Sequence, residues 1–102
     1  MLKLLENCES FQWDEGNSEK NWISHKVTKA EAEQVFFNKP VILSISKISK
    51  KEKRWYLLGK TDHDRKLFTV FTIRDTSIRI ISARDMSKKE KEVYDEKIKK
   101  NT

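Results

Sequence analysis

The sequence has few of the residues that build disulfide frameworks, linkers and membrane spans. It contains one cysteine, one proline and two glycines among 102 residues. A lone cysteine excludes an internal disulfide and a multi-cysteine metal site, and we predict neither a metal ion nor a cofactor. No apolar run approaches the roughly 20 residues that span a bilayer or resembles a signal peptide. We therefore expect one small cytoplasmic domain over 1–102 that does not associate with membranes.

Charge is abundant instead, and it is unevenly distributed. Charged residues make up 37% of the chain, against about 25% in an ordinary domain. Residues 1–46 hold five lysines and seven carboxylates, whereas 47–102 hold seventeen lysines or arginines and nine carboxylates. A basic half of this kind is typical of proteins that bind polyanions. A lysine-rich surface that only favours solubility fits the composition equally well.

Strands and helices can be placed from local patterns. Alternation of apolar and polar residues predicts a short strand over 11–13 and four further strands over 41–48, 54–60, 66–73 and 77–83. The turns between the last three strands are short, which predicts antiparallel hairpins. The aromatic side chains expected in the core, rather than as base-stacking platforms, are Trp13, Trp22, Trp55, Phe68 and Phe71.

Capping residues predict where the helices begin. Asp14 can cap a helix that ends near Ser24. Capping boxes at Thr28–Glu31 and Ser87–Glu90 predict two more helices, the second being a polar C-terminal helix over 87–102. Residues 1–10 are then an N-terminal extension. The predicted order β-α-α-β-β-β-β-α indicates an α+β domain with helices packed on one face of an antiparallel sheet.

Five motifs follow one another along 11–94. They are Phe11-Gln12-Trp13-Asp14-Glu15 with Asn17 and Asn21; His25, Val27-Thr28, Glu31-Ala32 and Val35-Phe36; Glu52, Arg54 and Leu58-Gly59; Phe71-Thr72-Ile73-Arg74; and Ile78-Arg79-Ile80-Ile81-Ser82-Ala83-Arg84 with Glu90 and Tyr94. Together they resemble the BrnT toxin family of bacterial type II toxin–antitoxin systems, which share the RelE-like ribonuclease fold. The resemblance implies a metal-independent endoribonuclease that is neutralised in a hetero-oligomer with a cognate antitoxin carrying a DNA-binding domain.

One motif departs from the family pattern. The family's Lys-His-Gly is Ser24-His25-Lys26 in this chain. The cation before the histidine is missing, so either Lys26 supplies the lost charge or the site is weakened. Loss of the glycine also predicts a different turn into the second helix, because glycine alone enters left-handed conformations without steric cost.

Cleavage through the RNA's own 2′-OH requires a general base, a general acid and a cation for the charge that develops on the phosphate. The residues that the resemblance and these roles favour as catalytic are Arg84, Arg74, His25, Glu52 and Arg54, and those favoured as RNA-binding are Lys26, Ser82, Lys50, Lys51 and Lys53. We expect the arginines and His25 to converge on one scissile phosphodiester. Regular alternation would put Ser82 on the same side as Arg84, and Arg79 on the other side.

Two other functions stay open. The chain could bind nucleic acid without cutting it, as a degenerate toxin whose altered Ser24-His25-Lys26 no longer works. It could also act only by forming a complex with a DNA-binding partner.

Overall fold

The computed structural model describes residues 8–13, 15–45 and 53–100. In chain order the elements are β1 (Ser10–Trp13), α1 (Glu15–His25), α2 (Lys29–Gln34), β2 (Ile42–Ile45), β3 (Trp55–Lys60), β4 (Lys66–Arg74), β5 (Ser77–Asp85) and α3 (Lys88–Lys100). The α+β class is confirmed, and the elements follow the predicted order. The predicted cap at Asp14 and the predicted end of the second strand over 46–48 lie outside the described residues.

The five strands form one mixed sheet in the order β1-β5-β4-β3-β2. Strands β2 to β5 are antiparallel neighbours, as the short turns predict. The prediction of an entirely antiparallel sheet is wrong at β1, which pairs parallel to β5 with Ser10 opposite Ser77. The partner of β1 lies more than sixty residues further along the chain, and local alternation carries no information about strand direction over that distance.

The core fills the space between one face of the sheet and the segment from α1 to α2. Phe36 makes edge-to-face contacts with Phe71 and Phe11, with ring centroids 5.0 and 5.2 Å apart. Gly59 lets β3 approach the end of α2 closely, because a Cβ there would lie 2.7 Å from the Val35 carbonyl oxygen. The fully buried members of the cluster include Ala32, Val35, Leu57, Leu67, Phe71, Ile80 and Ala83.

Both predicted capping boxes are present. The Thr28 hydroxyl accepts a hydrogen bond from the Glu31 amide at 3.1 Å, and the Glu31 carboxylate accepts one from the Thr28 amide at 3.1 Å. At the start of α3 the Ser87 amide donates to Glu90 at 2.8 Å, and the Glu90 amide donates to the Ser87 hydroxyl at 3.2 Å. Reciprocal bonds of this kind satisfy free amides of the first helical turn and define both helix starts.

Helix α3 lies over the face of the sheet opposite the core, so the prediction that all helices share one face is wrong for α3. Its Asp95 pairs with Lys66 at 2.6 Å, and its Glu90 pairs with Arg84. The side chains of Lys66 and Arg84 alternate with the core residues of β4 and β5 and therefore point away from the core. The helix sequence is too polar to show which face it covers.

Tyr94 anchors this polar helix. Its side chain is fully buried, and its hydroxyl donates to the Pro40 carbonyl oxygen at 2.7 Å. Burial, with smaller contributions from the carboxylates of Asp64 and Asp95, raises the pKa of Tyr94 to about 12. The phenol therefore keeps its proton at neutral pH and remains a hydrogen-bond donor to the loop before β2.

A β-bulge in β5 changes which side chains share a face. Val70 of β4 is opposite Ser82, but the next residue, Phe71, is opposite Ile80, so Ile81 is an extra residue. Beyond the bulge the alternation is shifted by one. Arg79 consequently lies on the same face as Ser82, and the prediction that it points to the other side is wrong.

Candidate active site

The sheet face opposite the core collects a row of polar and cationic side chains, which we call the arginine face and define as Arg74, Arg79, Ser82 and Arg84. Strand register places them together. Arg84 is opposite Phe68, Ser82 is opposite Val70 and Arg79 is opposite Thr72. These three partners alternate along β4 with Leu67, Phe71 and Ile73, which pack in or against the core. Cross-strand neighbours point to the same side of a sheet, so the four side chains form one surface.

The two arginines expected to meet at one phosphate lie at opposite ends of this face. Arg74 is opposite Ser77 at the hairpin end of β4, whereas Arg84 is opposite Phe68, six residues earlier in that strand. At about 3.3 Å per residue the two positions are about 20 Å apart. The expectation that Arg74 and Arg84 converge on one phosphodiester is therefore wrong, because antiparallel pairing sends the ends of neighbouring strands in opposite directions.

Arg84 is held in a defined position. Its Nη1 and Nη2 donate to the two oxygens of Glu90 at 2.8 and 3.0 Å, and Nη1 also donates to the Asp85 carbonyl oxygen at 3.0 Å. The guanidinium carbon lies 4.2 Å from the centroid of the Phe68 ring, a favourable cation–π geometry. The hydrogen bonds from Arg84, opposed by burial and supported by the Ser87 amide, lower the pKa of Glu90.

Helix α1 ends at His25, and Lys26 is the first residue after it. We call these two residues the His25 turn, and they lie at the same end of β5 as Arg84. Arg65, in the turn between β3 and β4, holds these two residues against the end of β5. Its Nη2 donates to the His25 carbonyl oxygen at 3.0 Å, and its Nη1 donates to the Lys26 carbonyl oxygen at 2.8 Å. The same guanidinium binds both oxygens of Asp85, at 2.7 and 3.1 Å. One side chain thus joins the turn to the end of β5.

The carboxylates beside this turn are ionised and paired with Arg65. Hydrogen bonds from Arg65 lower the pKa of Asp85 against the effect of burial, and the charges of Lys91 and His25 contribute further. Burial raises the pKa of Glu31, but hydrogen bonds from the Thr28 amide and from Arg65 at 3.1 Å outweigh it, so that pKa is also lowered. Asp85 raises the pKa of Arg65 in turn. The carboxylates of Asp85 and Glu31 therefore bind Arg65 and, through it, stabilise the turn.

Lys26 adopts the conformation that a glycine would adopt. Its φ is 54°, in the left-handed region, and its amide donates to the Trp22 carbonyl oxygen at 3.0 Å, as at the end of a helix. Lys26 therefore occupies a backbone conformation that costs a residue with a side chain about 1–2 kcal/mol, and the expectation of a turn different from the family's stays a prediction. Its ammonium lies 5.1 Å from the centroid of the Trp22 ring.

The other predicted site residues fall into two groups. Arg54 and Lys53 are exposed and precede β3, where the Lys53 carbonyl oxygen accepts a bond from Thr72 at 2.8 Å. They lie at the Arg74 end of the sheet, away from His25. Glu52, Lys50 and Lys51 lie outside the described residues.

The aromatic predictions hold only in part. Phe71 is buried, and Trp13 and Trp55 pack against the core, Trp13 with its Nε1 donating to Glu33 at 2.8 Å. Phe68 lies on the other face of the sheet beside Arg84, and Trp22 is 50% exposed. Helix α1 faces β5 on the side of Asn21, which accepts a hydrogen bond from the Ala83 amide. Trp22 is the next residue and lies about 100° further around the helix, so its side chain points away from the sheet.

Sequence reasoning missed two residues of this region. Arg65 stands in a polar turn, where an arginine usually indicates a solvated surface, and no local pattern marks its five hydrogen bonds. Arg79 could have been placed by noticing that the apolar residues Ile80 and Ala83 are three apart rather than two, which is the signature of one extra residue in a strand.

Within the ranges that the structure covers, no cluster of three His, Cys, Asp or Glu side chains is arranged to hold a metal ion. None of the helices in those ranges is long and apolar enough to cross a membrane.

Comparisons with known proteins relate this arrangement to one family. The family described as "Ribonuclease toxin, BrnT, of type II toxin-antitoxin system" matches residues 13–90. The crystal structure of the Brucella abortus ribonuclease toxin BrnT superimposes with a TM-score of 0.56 at 17% sequence identity, covering 78% of this chain and 97% of the Brucella chain. A search of curated proteins finds no match. At that identity the Brucella structure shows a shared fold.

Proposed function

Because the chain belongs to the BrnT family of ribonuclease toxins of type II toxin–antitoxin systems, we propose that it is an endoribonuclease that cuts RNA by attack of the RNA's own 2′-OH, without a metal ion. The observation that carries this proposal is the placement of Arg84 and the His25 turn at one end of β5, joined through Arg65 and Asp85. This chemistry needs a cation and a group that transfers protons, and Arg84 and His25 are our candidates for these two roles.

In the proposed reaction a general base removes the 2′-OH proton, and the resulting oxygen attacks the adjacent phosphorus. The bond from phosphorus to the 5′-oxygen breaks, and a general acid protonates that oxygen. The products are a 2′,3′-cyclic phosphate and a free 5′-OH. His25 transfers one of these protons, and Glu52, outside the described residues, is our candidate for the other. Arg84 stabilises the negative charge that develops on the phosphate oxygens, because its planar fork can contact two of them.

The separation of the arginines along the sheet changes the role of Arg74. A span of about 20 Å covers several phosphate spacings of one strand, each about 3.4 Å of rise in a duplex. We propose that RNA lies along the arginine face, with the scissile phosphate at Arg84 and other phosphates near Arg79 and Arg74. Ser82, Arg54, Lys53, Lys50 and Lys51 are RNA-binding candidates along this path.

The test is cleavage of end-labelled RNA by the purified protein in EDTA. We expect cleavage, and we expect Arg84→Gln to reduce its rate at least about 100-fold, the typical loss for one oxyanion donor. Lys66→Gln is the matched control, since it also removes an ion pair between the sheet and α3 but lies outside the proposed site. Intact RNA with the wild-type protein, cleavage that stops in EDTA, or equal losses in both variants would each contradict the proposal.

One observation favours a second candidate, an RNA-binding protein without catalysis. The guanidinium of Arg84 is already engaged by both oxygens of Glu90, so a phosphate must share or replace that partner. A binding-only protein would retain RNA with a strong dependence on salt and leave it uncut. It would also cause no growth arrest when expressed alone in bacteria.

Membership of a type II toxin–antitoxin family implies an antitoxin partner. We propose that this antitoxin carries a DNA-binding domain and forms a hetero-oligomer with the toxin. Growth arrest on expression of the toxin, relieved by co-expression of the adjacent gene, is the expected result.

A further inference from the structure

Trp22 is unusually accessible for a tryptophan. It is 50% exposed, and its neighbour Ile23 is 65% exposed, whereas Trp13 and Trp55 pack against the core. Tryptophan side chains are on average highly buried. This half-exposed indole lies three residues before the candidate catalytic His25. It offers a surface on which an aromatic or apolar group of a ligand could pack.

Lys26 places a cation on this indole. Its ammonium lies 5.1 Å from the ring centroid, and its backbone is in the left-handed region with φ 54°. Lys26 thus lies over one side of the indole, and half of the Trp22 side chain is exposed to solvent.

The surroundings of the turn favour an anion. Asp85 and Glu31, two carboxylates beside it, are bound by Arg65, so their charges are directed to Arg65 and not to Lys26. Lys91 and His25 act on the pKa of Asp85 and therefore lie near the same point. Because Arg65 also holds the carbonyl groups of His25 and Lys26, the turn is organised before any ligand arrives.

We propose that Trp22 and Lys26 form a subsite for one nucleotide of single-stranded RNA, with the base stacked on the indole and a backbone phosphate on the ammonium. This inference rests on the proposed function, because it supplies a substrate contact for the same site. Stacking on an aromatic side chain suits every base, since all four have a π-face. The subsite therefore holds the strand beside His25 without selecting its sequence.

The experiment separates binding from cleavage by using a short single-stranded oligonucleotide whose 2′-oxygens are methylated, which removes the nucleophile. Its affinity is measured by fluorescence anisotropy for the wild type, Trp22→Ala, Trp22→Phe and Lys26→Gly. Ile23→Ala is the matched control, because it truncates the adjacent exposed residue. Thermal unfolding of each variant confirms that the fold is retained.

We expect Trp22→Ala to weaken binding about 5- to 150-fold, which corresponds to about 1–3 kcal/mol for one stacked base. Trp22→Phe keeps most of the affinity because it keeps an aromatic face. Lys26→Gly weakens binding and reduces its salt dependence by about one phosphate contact, while the melting temperature stays the same or rises, because the left-handed backbone suits glycine. Ile23→Ala binds like the wild type.

Unchanged affinity in Trp22→Ala, or an equal loss in Ile23→Ala, would overturn the subsite. Weaker binding of the antitoxin to Trp22→Ala with unchanged oligonucleotide affinity would overturn it as well, by assigning the surface to a protein partner. A failure of the proposed function would give a different result: unmethylated RNA would stay intact, while the oligonucleotide affinity would still depend on Trp22.

Discussion

Replacing Arg65 by methionine tests whether one guanidinium holds the His25 turn to the sheet. The substitution keeps the apolar stem and removes five hydrogen bonds: two to Asp85, one to Glu31 and two to backbone carbonyl groups. Each bond to a neutral carbonyl contributes about 1 kcal/mol net. The ion pairs contribute less than buried ones would, because the Arg65 side chain is 27% exposed and Asp85 is 59% exposed, and exposed pairs are worth about 0–1 kcal/mol.

The sum predicts that Arg65→Met lowers the free energy of unfolding by about 2–3 kcal/mol. For a domain of this size each kcal/mol lowers the melting temperature by roughly 4–8 °C. Urea unfolding followed by circular dichroism at neutral pH measures the loss. Arg54→Met is the matched control, since Arg54 is exposed and a surface change of this kind stays within about 0.5 kcal/mol.

The pH dependence of the difference identifies its source. Arg65 lowers the pKa of Asp85 and contributes to lowering that of Glu31 in the folded protein. A lowered carboxyl pKa stabilises the fold above the ordinary value, about 3.9 for Asp and 4.3 for Glu, and this stabilisation is lost as the pH falls through the folded value. The difference in free energy of unfolding between wild type and Arg65→Met should therefore be largest at neutral pH and should decrease below about pH 4. A loss of unfolding free energy under about 0.5 kcal/mol, or a difference between the two proteins that does not depend on pH, would refute the conclusion that Arg65 holds the His25 turn to the sheet.

Two further predictions concern the core. Gly59→Ala should lower the free energy of unfolding by about 1–3 kcal/mol, because the new Cβ would lie 2.7 Å from the Val35 carbonyl oxygen. Urea unfolding measures this loss. A variant as stable as the wild type would show that α2 and β3 can move apart without a loss of stability. Thr69→Val should raise the free energy of unfolding by about 0.5–1.5 kcal/mol, because the fully buried Thr69 hydroxyl has no hydrogen-bond partner among residues 8–13, 15–45 and 53–100. A lower melting temperature for Thr69→Val would mean that the hydroxyl is satisfied in solution.

Local signals predicted the elements well. Alternation located β3, β4 and β5, and the two capping boxes located the starts of α2 and α3, because these signals depend on neighbours in the sequence. The parallel pairing of β1 and the face covered by α3 depend on contacts between distant segments. No pattern within either element encodes them.

The members of the candidate site come from the family resemblance, and their arrangement comes from the structure. The family resemblance selected Arg74, Arg84 and His25, and the structure brings Arg84 and His25 to one end of β5. It separates Arg74 from them, because register is set by pairing over the whole hairpin. Arg65 escaped notice since its role arises from three segments that meet only in the folded chain.

The extra residue at Ile81 loosens the length of β5 as a constraint on how this chain can diverge. Deleting Ile81 alone would leave Ile80 opposite Phe71 and Ser82 opposite Val70. Arg79, Ser82 and Arg84 would then keep the face that they occupy now, in a strand that alternates regularly. Relatives that preserve the arginine face can therefore separate the two arginines by five residues with a bulge or by four residues without one.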